Sequence, residues 1–252
     1  MSTYQLGLVS ISFRKYAPEE IIRAAKTAGL SCIEWGSDVH APARDIPRLQ
    51  EIVALQQKYG MACSSYGTYL NVENASAESL QAHVDAAKTL GTRILRLWCG
   101  SKRGDQMTDA ERDAFFARCR EVAEVAEKKD VIFCMECHHG TFTQRPEDAV
   151  ALMQAVNSPH FRMYWQPFQW LDTAGSLAVA RTVAPYTEHI HVFNWHGDGK
   201  FPLAEAVEDW KTYLTAFVTP RTLLLEFMPD DRIESLPAEA DALRSIIGGI
   251  RS

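Results

Sequence analysis

The amino-acid sequence predicts an α/β fold, a single (β/α)8 barrel spanning residues 1–252. Three observations carry that expectation. The chain has 252 residues, near the ~250 typical of the barrel. Short apolar runs alternate with amphipathic stretches about eight times, a pattern that implies a parallel sheet. Polar residues recur at the C-terminal ends of the apolar runs, where such a barrel carries its chemistry.

The strand candidates are, in order, Gln5–Phe13, Ser31–Gly36, Met61–Tyr66, Arg93–Cys99, Val131–His138, Arg162–Gln166, His189–Asn194 and Thr222–Met228. The first helix starts at Pro18-Glu19-Glu20 and stops at Gly29, with proline in the first turn and glycine at the end. Helical patterns follow at Asp45–Tyr59, Ser76–Leu90, Thr108–Lys128, Pro146–Val156, Thr173–Val183, Val207–Phe217 and Pro237–Ile247. Thr108 with Glu111 fits a capping box. A doubly wound sheet would place a glycine-rich phosphate loop after the first strand. Ser10-Ile11-Ser12-Phe13-Arg14 stands there instead. No linker or low-complexity tract divides the chain.

Composition narrows the function classes. A net charge of −6 and a pI near 5.8 argue against a nucleic-acid partner. The start lacks a signal-peptide pattern and no run of eighteen apolar residues occurs, so neither export nor a membrane span is expected. Of the six cysteines, Cys32, Cys63, Cys99, Cys119, Cys134 and Cys137, five lie in or beside apolar runs. They read as buried thiols of a cytoplasmic protein.

Side chains alternate faces along a strand. Arg96 and Trp98 therefore share one face, with Leu95 and Leu97 on the other. Glu136 pairs with His138, and His189 with His191. The apolar alternates face the helices and the polar ones the barrel mouth. Unpaired buried charge is costly, so several such residues on one rim suggest a compensating metal ion. Taken singly, each has a plainer reading. A strand-end glutamate more often anchors a loop, and His189 alone reads as packed. Trp35, Trp98, Trp165 and Trp195 are as readily barrel filling as sugar platforms. Glu111, Glu121, Glu124 and Glu127 form a solvated helix face.

In combination the strand ends resemble the xylose-isomerase-like TIM barrels, the sugar phosphate isomerase/epimerase superfamily, over essentially the whole chain. In that family strands five to eight supply metal ligands, commonly Glu, Asp, His or Gln, and Glu. Glu136 in MECHHGT stands where the first glutamate does, with His138, Gly140 and Thr141 resembling its usual context. His191 in HIHVFNW fits the histidine and Glu226 in LLLEF the last glutamate. Gln166 in YWQP departs from the usual aspartate; its amide oxygen can still ligate a hard cation, with one negative charge fewer. Glu34 and His40 in EWGSDVH also look characteristic of a subgroup.

The resemblance implies one divalent ion (Mn, Mg, Co or Zn) held by Glu136, Gln166, His191 and Glu226. It implies an isomerase or epimerase of a ketose or related small sugar, with Glu136 and Glu226 exchanging protons through a metal-stabilised enediolate. Glu34, His40, Arg96, Trp98, His138 and Trp195 are the expected substrate contacts, with Trp35 a further stacking candidate. A dehydratase or decarboxylase of a keto sugar acid is the alternative, since Arg96 suits a carboxylate. A non-catalytic sugar-binding barrel ranks lower. Abasic-site endonucleases also belong to the superfamily; eight histidines and an acidic pI rank that reading low. Lys102 and Arg103 read equally as phosphate contacts or as a solvated loop. A homo-oligomer is compatible with the sequence, with no feature requiring one.

Overall fold

The computed structural model of the protein describes residues 4–218 and 221–250. Eight parallel strands close into a barrel in sequential order. They are β1 (Gln5–Val9), β2 (Cys32–Gly36), β3 (Ala62–Asn71), β4 (Ile94–Trp98), β5 (Ile132–Glu136), β6 (Phe161–Trp165), β7 (Thr187–Val192) and β8 (Thr222–Leu225). Helices α1 (Pro18–Thr27), α2 (Ile46–Tyr59), α3 (Ala77–Leu90), α4 (Asp109–Lys128), α5 (Pro146–Val156), α6 (Thr173–Val183), α7 (Val207–Leu214) and α8 (Leu236–Ile250) follow the strands in turn. The capping box forms as expected: Thr108 Oγ1 accepts from the Glu111 N–H, and Glu111 Oε2 accepts from the Thr108 N–H.

Two apolar layers result from strand alternation. Ile33, Trp35, Leu95, Leu97, Met135, Trp165, Ile190 and Leu223 face the helices. Val9, Cys32, Cys134, Tyr164 and Leu224 fill the barrel interior. Trp35 is thus not a sugar platform: it is buried on the helix side and its Nε1 donates to Gln56 Oε1 at 3.0 Å. Trp165 likewise packs against Trp210, Tyr213 and Phe217 at 5.5–5.8 Å. All six cysteines are free and buried.

Three strand ends differ from the sequence expectation by three residues or more, and the others agree within two. After Val9 the chain enters a buried 3-10 turn, Ser10–Phe13, instead of continuing as strand. β3 runs on to Asn71. β8 stops at Leu225, because Phe227 has φ +57°. Two bulges re-aim side chains, a known use of the feature. One skips Ser64, so that Ser65 pairs with Glu34. The other skips Glu188, so that His189 pairs with Tyr164 and His191 follows it inward.

Gly7 marks how tightly the interior is filled. A Cβ there would lie 2.5 Å from Cys32 Sγ and 2.7 Å from Leu224 Cδ2. Gly7→Ala is expected to destabilise the protein by about 1–3 kcal/mol, the usual cost of overpacking. Urea unfolding measures it; a midpoint equal to wild type would show that the interior has slack.

Candidate active site

The floor of the barrel mouth is built around one guanidinium. Arg96 on β4 points inward, and its Nε donates to Glu34 Oε1 at 3.0 Å. Its Nη1 donates to Glu136 Oε2 at 2.5 Å. Arg96 has 3% of its side chain exposed, Glu34 0% and Glu136 4%. Ser65, turned inward by the β3 bulge, donates to Glu34 Oε2 at 2.8 Å. Gly67 leaves room for the pair: a Cβ there would sit 3.0 Å from both Arg96 Nη2 and Glu34 Oε1. Burial alone would raise the Glu34 carboxyl, but Arg96 and then His191 outweigh it and hold it well below the usual carboxylate range. Glu136 follows the same balance and is lowered to about 2.

His191 on β7 is the second centre. Its Nδ1 lies 3.1 Å from Gln166 Oε1, 3.2 Å from Glu226 Oε2 and 3.4 Å from Glu136 Oε1. A single N–H cannot serve three acceptors well. It is shared toward Gln166, and Glu226 Oε2 is left buried without a hydrogen bond. His191 Nε2 lies 3.5 Å from Glu34 Oε1, also without a hydrogen bond. Burial would lower the imidazole; Glu226 and Glu34 outweigh it and raise it well above the ordinary histidine range. Beneath this layer His189 is packed against Tyr164, with Nδ1 donating to the Glu188 carbonyl at 2.9 Å and Nε2 3.3 Å from the Ser64 carbonyl, as a structural histidine.

Above the floor opens a cleft of about 600 Å³, lined by Arg96, Glu136, Gln166 and Glu226 below. That volume suits a small ligand. Its walls are aromatic. Trp98 packs on His138 at 4.2 Å between centroids, His139 on Trp170 at 4.6 Å, and Trp195 on Phe227 at 4.9 Å. His138 Nδ1 is 2.8 Å from the carbonyl oxygen of His139. A carbonyl only accepts, so Nδ1 carries the hydrogen, and in the neutral ring Nε2 is the acceptor. A short antiparallel ribbon, Trp195–His196 with Gly199–Lys200, overhangs the cleft.

The structure therefore brings Glu136, Gln166, His191, Glu226 and Arg96 together, with Trp98, His138 and Trp195 on the walls. Two expected substrate contacts lie elsewhere. Glu34 is sealed beneath Arg96. His40 is buried with Nδ1 3.1 Å from Ser10 Oγ, which also accepts from the Gly36 N–H, so it braces the β1 and β2 loops. Arg96 is committed to two carboxylates, which leaves less of it for a ligand than the sequence suggests. Lys102 and Arg103 pair with Glu111 and Asp105 away from the cleft. Sequence reasoning missed Tyr69, Gln169, Trp170 and Phe227, all of which line it. The signal for Gln169 and Trp170 is their position directly after the Gln166 strand end; Tyr69 has none, because the strand pattern in the sequence ends at Tyr66 while β3 runs on to Asn71.

A closed parallel barrel with its buried charged cluster at the C-terminal mouth defines a TIM barrel of the kind that carries chemistry at that face. The chain belongs to the xylose isomerase-like TIM barrel family, whose model matches residues 22–245. Similar solved structures include the probable 3-DHS dehydratase AsbF, involved in petrobactin synthesis, from Bacillus anthracis (TM-score 0.81, 17% identity, 96% of this chain and 99% of that one). A xylose isomerase-like TIM barrel protein from Mycobacterium smegmatis in complex with magnesium gives 0.73, 15% identity, and 98% of each chain. D-Psicose 3-epimerase with D-tagatose, from Clostridium cellulolyticum H10, gives 0.69, 14% identity, and 98% and 99%. At these identities the likeness shows the fold. No curated protein sequence matches the chain. Among the described residues no helix is long and apolar enough to cross a membrane.

Removing Arg96 strands two buried carboxylates. Arg96→Met is expected to cost about 3–5 kcal/mol, measured by urea unfolding. Arg96→Met with Glu34→Gln should recover part of the loss, since one stranded charge is gone. A single variant as stable as wild type would contradict the pairing.

Proposed function

We propose that the protein is a divalent-metal-dependent isomerase or epimerase of a ketose or related small sugar, working by proton transfer at a carbon next to a carbonyl. The observation that carries the reading is the convergence of Glu136, Gln166 and Glu226 oxygens on His191 Nδ1 at the floor of a sugar-sized cleft.

The donor set fits a divalent ion. Carboxylate and amide oxygens with one imidazole nitrogen suit Mn²⁺, Mg²⁺, Co²⁺ or Zn²⁺, and Glu226 Oε2 is buried with no hydrogen-bond partner to satisfy it. Among the described residues no group of three or more His, Cys, Asp or Glu is spaced as a finished cage. The four side chains meet one another around His191 instead, so an ion held there would take the place of the imidazole proton. Glu136, Gln166, His191 and Glu226 would hold the ion, which when bound supplies Lewis-acid polarisation of a substrate carbonyl. The magnesium complex and the psicose epimerase among the similar structures support this reading.

The two glutamates are unequal. Glu136 Oε2 is committed to Arg96, while Glu226 Oε2 is free of hydrogen bonds. Glu226 is accordingly the carboxylate that takes the substrate proton, through the oxygen that would not hold the ion. In an isomerisation it returns that proton to the neighbouring carbon while Glu136, held by Arg96, stays a fixed anion. In an epimerisation Glu136 enters protonated and delivers its proton to the opposite face. His138 Nε2 accepts from a substrate hydroxyl, and Trp98 and Trp195 cover the sugar faces. The aromatic walls limit access of water to the reacting carbon.

A lyase acting on a keto sugar acid is the second reading. Arg14 and Arg96 both line the cleft, Arg14 paired with Asp38 and Arg96 with Glu34 and Glu136, so a substrate carboxylate would share these guanidiniums. Product mass separates the two: an unchanged mass marks an isomerase, and loss of water or carbon dioxide a lyase.

Elemental analysis of protein prepared without chelator should find about one divalent ion per wild-type chain, less in Glu136→Gln and Glu226→Gln, and tighter retention in Gln166→Asp. Glu226→Gln should lower turnover of the accepted ketose by about 10²–10⁴-fold, the usual weight of a general base. Wild type that neither carries nor is stabilised by any divalent ion would sink the reading.

A further inference from the structure

β8 breaks the alternation that governs the rest of the barrel. Leu223 and Leu225 pack outward and Leu224 inward. Glu226 faces the cleft, so Phe227 should face the helices. It lines the cleft as well, and packs on the interior cluster, while Met228 returns to the outer core. Two consecutive side chains thus share one face.

The cause is the left-handed backbone of Phe227, φ +57°. The other non-glycine residues described with positive φ are Asp130, Asn157 and Asp231, types that tolerate it. A bulky aromatic does so only when its surroundings over-determine it, and such residues gather at functional sites. Several contacts hold this one. The Phe227 N–H donates to Ser12 Oγ at 3.2 Å. Its ring sits edge-on to Trp195 at 4.9 Å and to Phe193 at 5.9 Å. Lys200 Nζ lies 5.4 Å from the ring centroid, itself tied to Asp231. On the other side, the Glu226 N–H donates to Val192 O at 2.9 Å. Glu226 is therefore clamped between two anchored N–H groups, one in the ladder and one on the β1 loop.

We propose that Phe227 is the positioning residue of Glu226: its left-handed turn lifts the chain out of the ladder one residue after Glu226, fixes that carboxylate toward His191, and sets the ring as the cleft wall beside it. The proposal rests on Glu226 being a metal donor. Its content is conformational, so it separates side chains by the backbone they permit. Glycine and asparagine accept positive φ; valine, being β-branched, does not.

The test is Mn²⁺ affinity, read from free Mn²⁺ by electron paramagnetic resonance, with thermal unfolding in parallel. Phe227→Val should weaken Mn²⁺ binding about tenfold or more, the scale of a lost outer support, whereas Phe227→Gly and Phe227→Asn stay within about threefold of wild type. Ser12→Ala, which removes the acceptor without touching the cleft wall, should weaken binding about threefold and still unfold cooperatively; it decides the matter if the valine variant does not fold. A merely structural ring would shift melting temperatures and leave Mn²⁺ affinity alone. Equal losses in the valine and glycine variants, or Ser12→Ala and Phe227→Val both binding as wild type, would overturn the proposal. Wild type that binds no Mn²⁺ would overturn the metal reading and this proposal together, a result distinct from either variant outcome.

Discussion

A guanidinium buried between two carboxylates is the constraint on which the rest of the site depends. Arg96 bridges Glu34 and Glu136 in the barrel interior, at side-chain exposures of 3%, 0% and 4%. Buried ion pairs are poor sources of net stability, because desolvation offsets the attraction. The group is better understood as orientation. Arg96 takes one oxygen of Glu136 and leaves the other beside His191. Glu34 in turn holds Arg96 with help from Ser65, and Gly67 provides the space. The carboxylate that faces the cleft is thus fixed by a chain of contacts reaching across three neighbouring strands and β5.

The barrel supplies this arrangement through small departures from regularity. Bulges in β3 and β7 turn Ser65 inward and bring His189 and His191 into line. The left-handed residue at the end of β8 places Glu226 and Phe227 side by side. Regular strands alone would give inward residues in layers; the irregular ones set where the polar layer ends and the aromatic walls begin. The surroundings of Glu136 and Glu226 are unequal: one carboxylate is held by Arg96, and the other keeps an oxygen without a hydrogen bond.

Much of this was legible in the sequence, for physical reasons that particular residues show. Helix and strand periods differ, so the eight units were readable, and the capping box of Thr108 and Glu111 located the start of α4. Strand alternation put Arg96, Glu136 and His191 on the interior face. What was not legible depended on breaks in that period. Tyr69 was hidden because β3 outruns its apolar stretch, and Phe227 because only the structure reveals its positive φ. Trp35 and Trp98 looked alike as strand-end aromatics; one faces the helices and the other the cleft. His40 and Glu34, expected as substrate contacts, instead brace loops and hold Arg96.

Under the proposed function this floor is a metal-donor cluster kept in order by Arg96. Anomalous diffraction from crystals grown with Mn²⁺ addresses it directly. The expected result is one strong peak bounded by Glu136, Gln166, His191 and Glu226, with Arg96 still bridging Glu34 and Glu136. A peak elsewhere, or none while Gln166 and Glu226 remain drawn to His191, would contradict it.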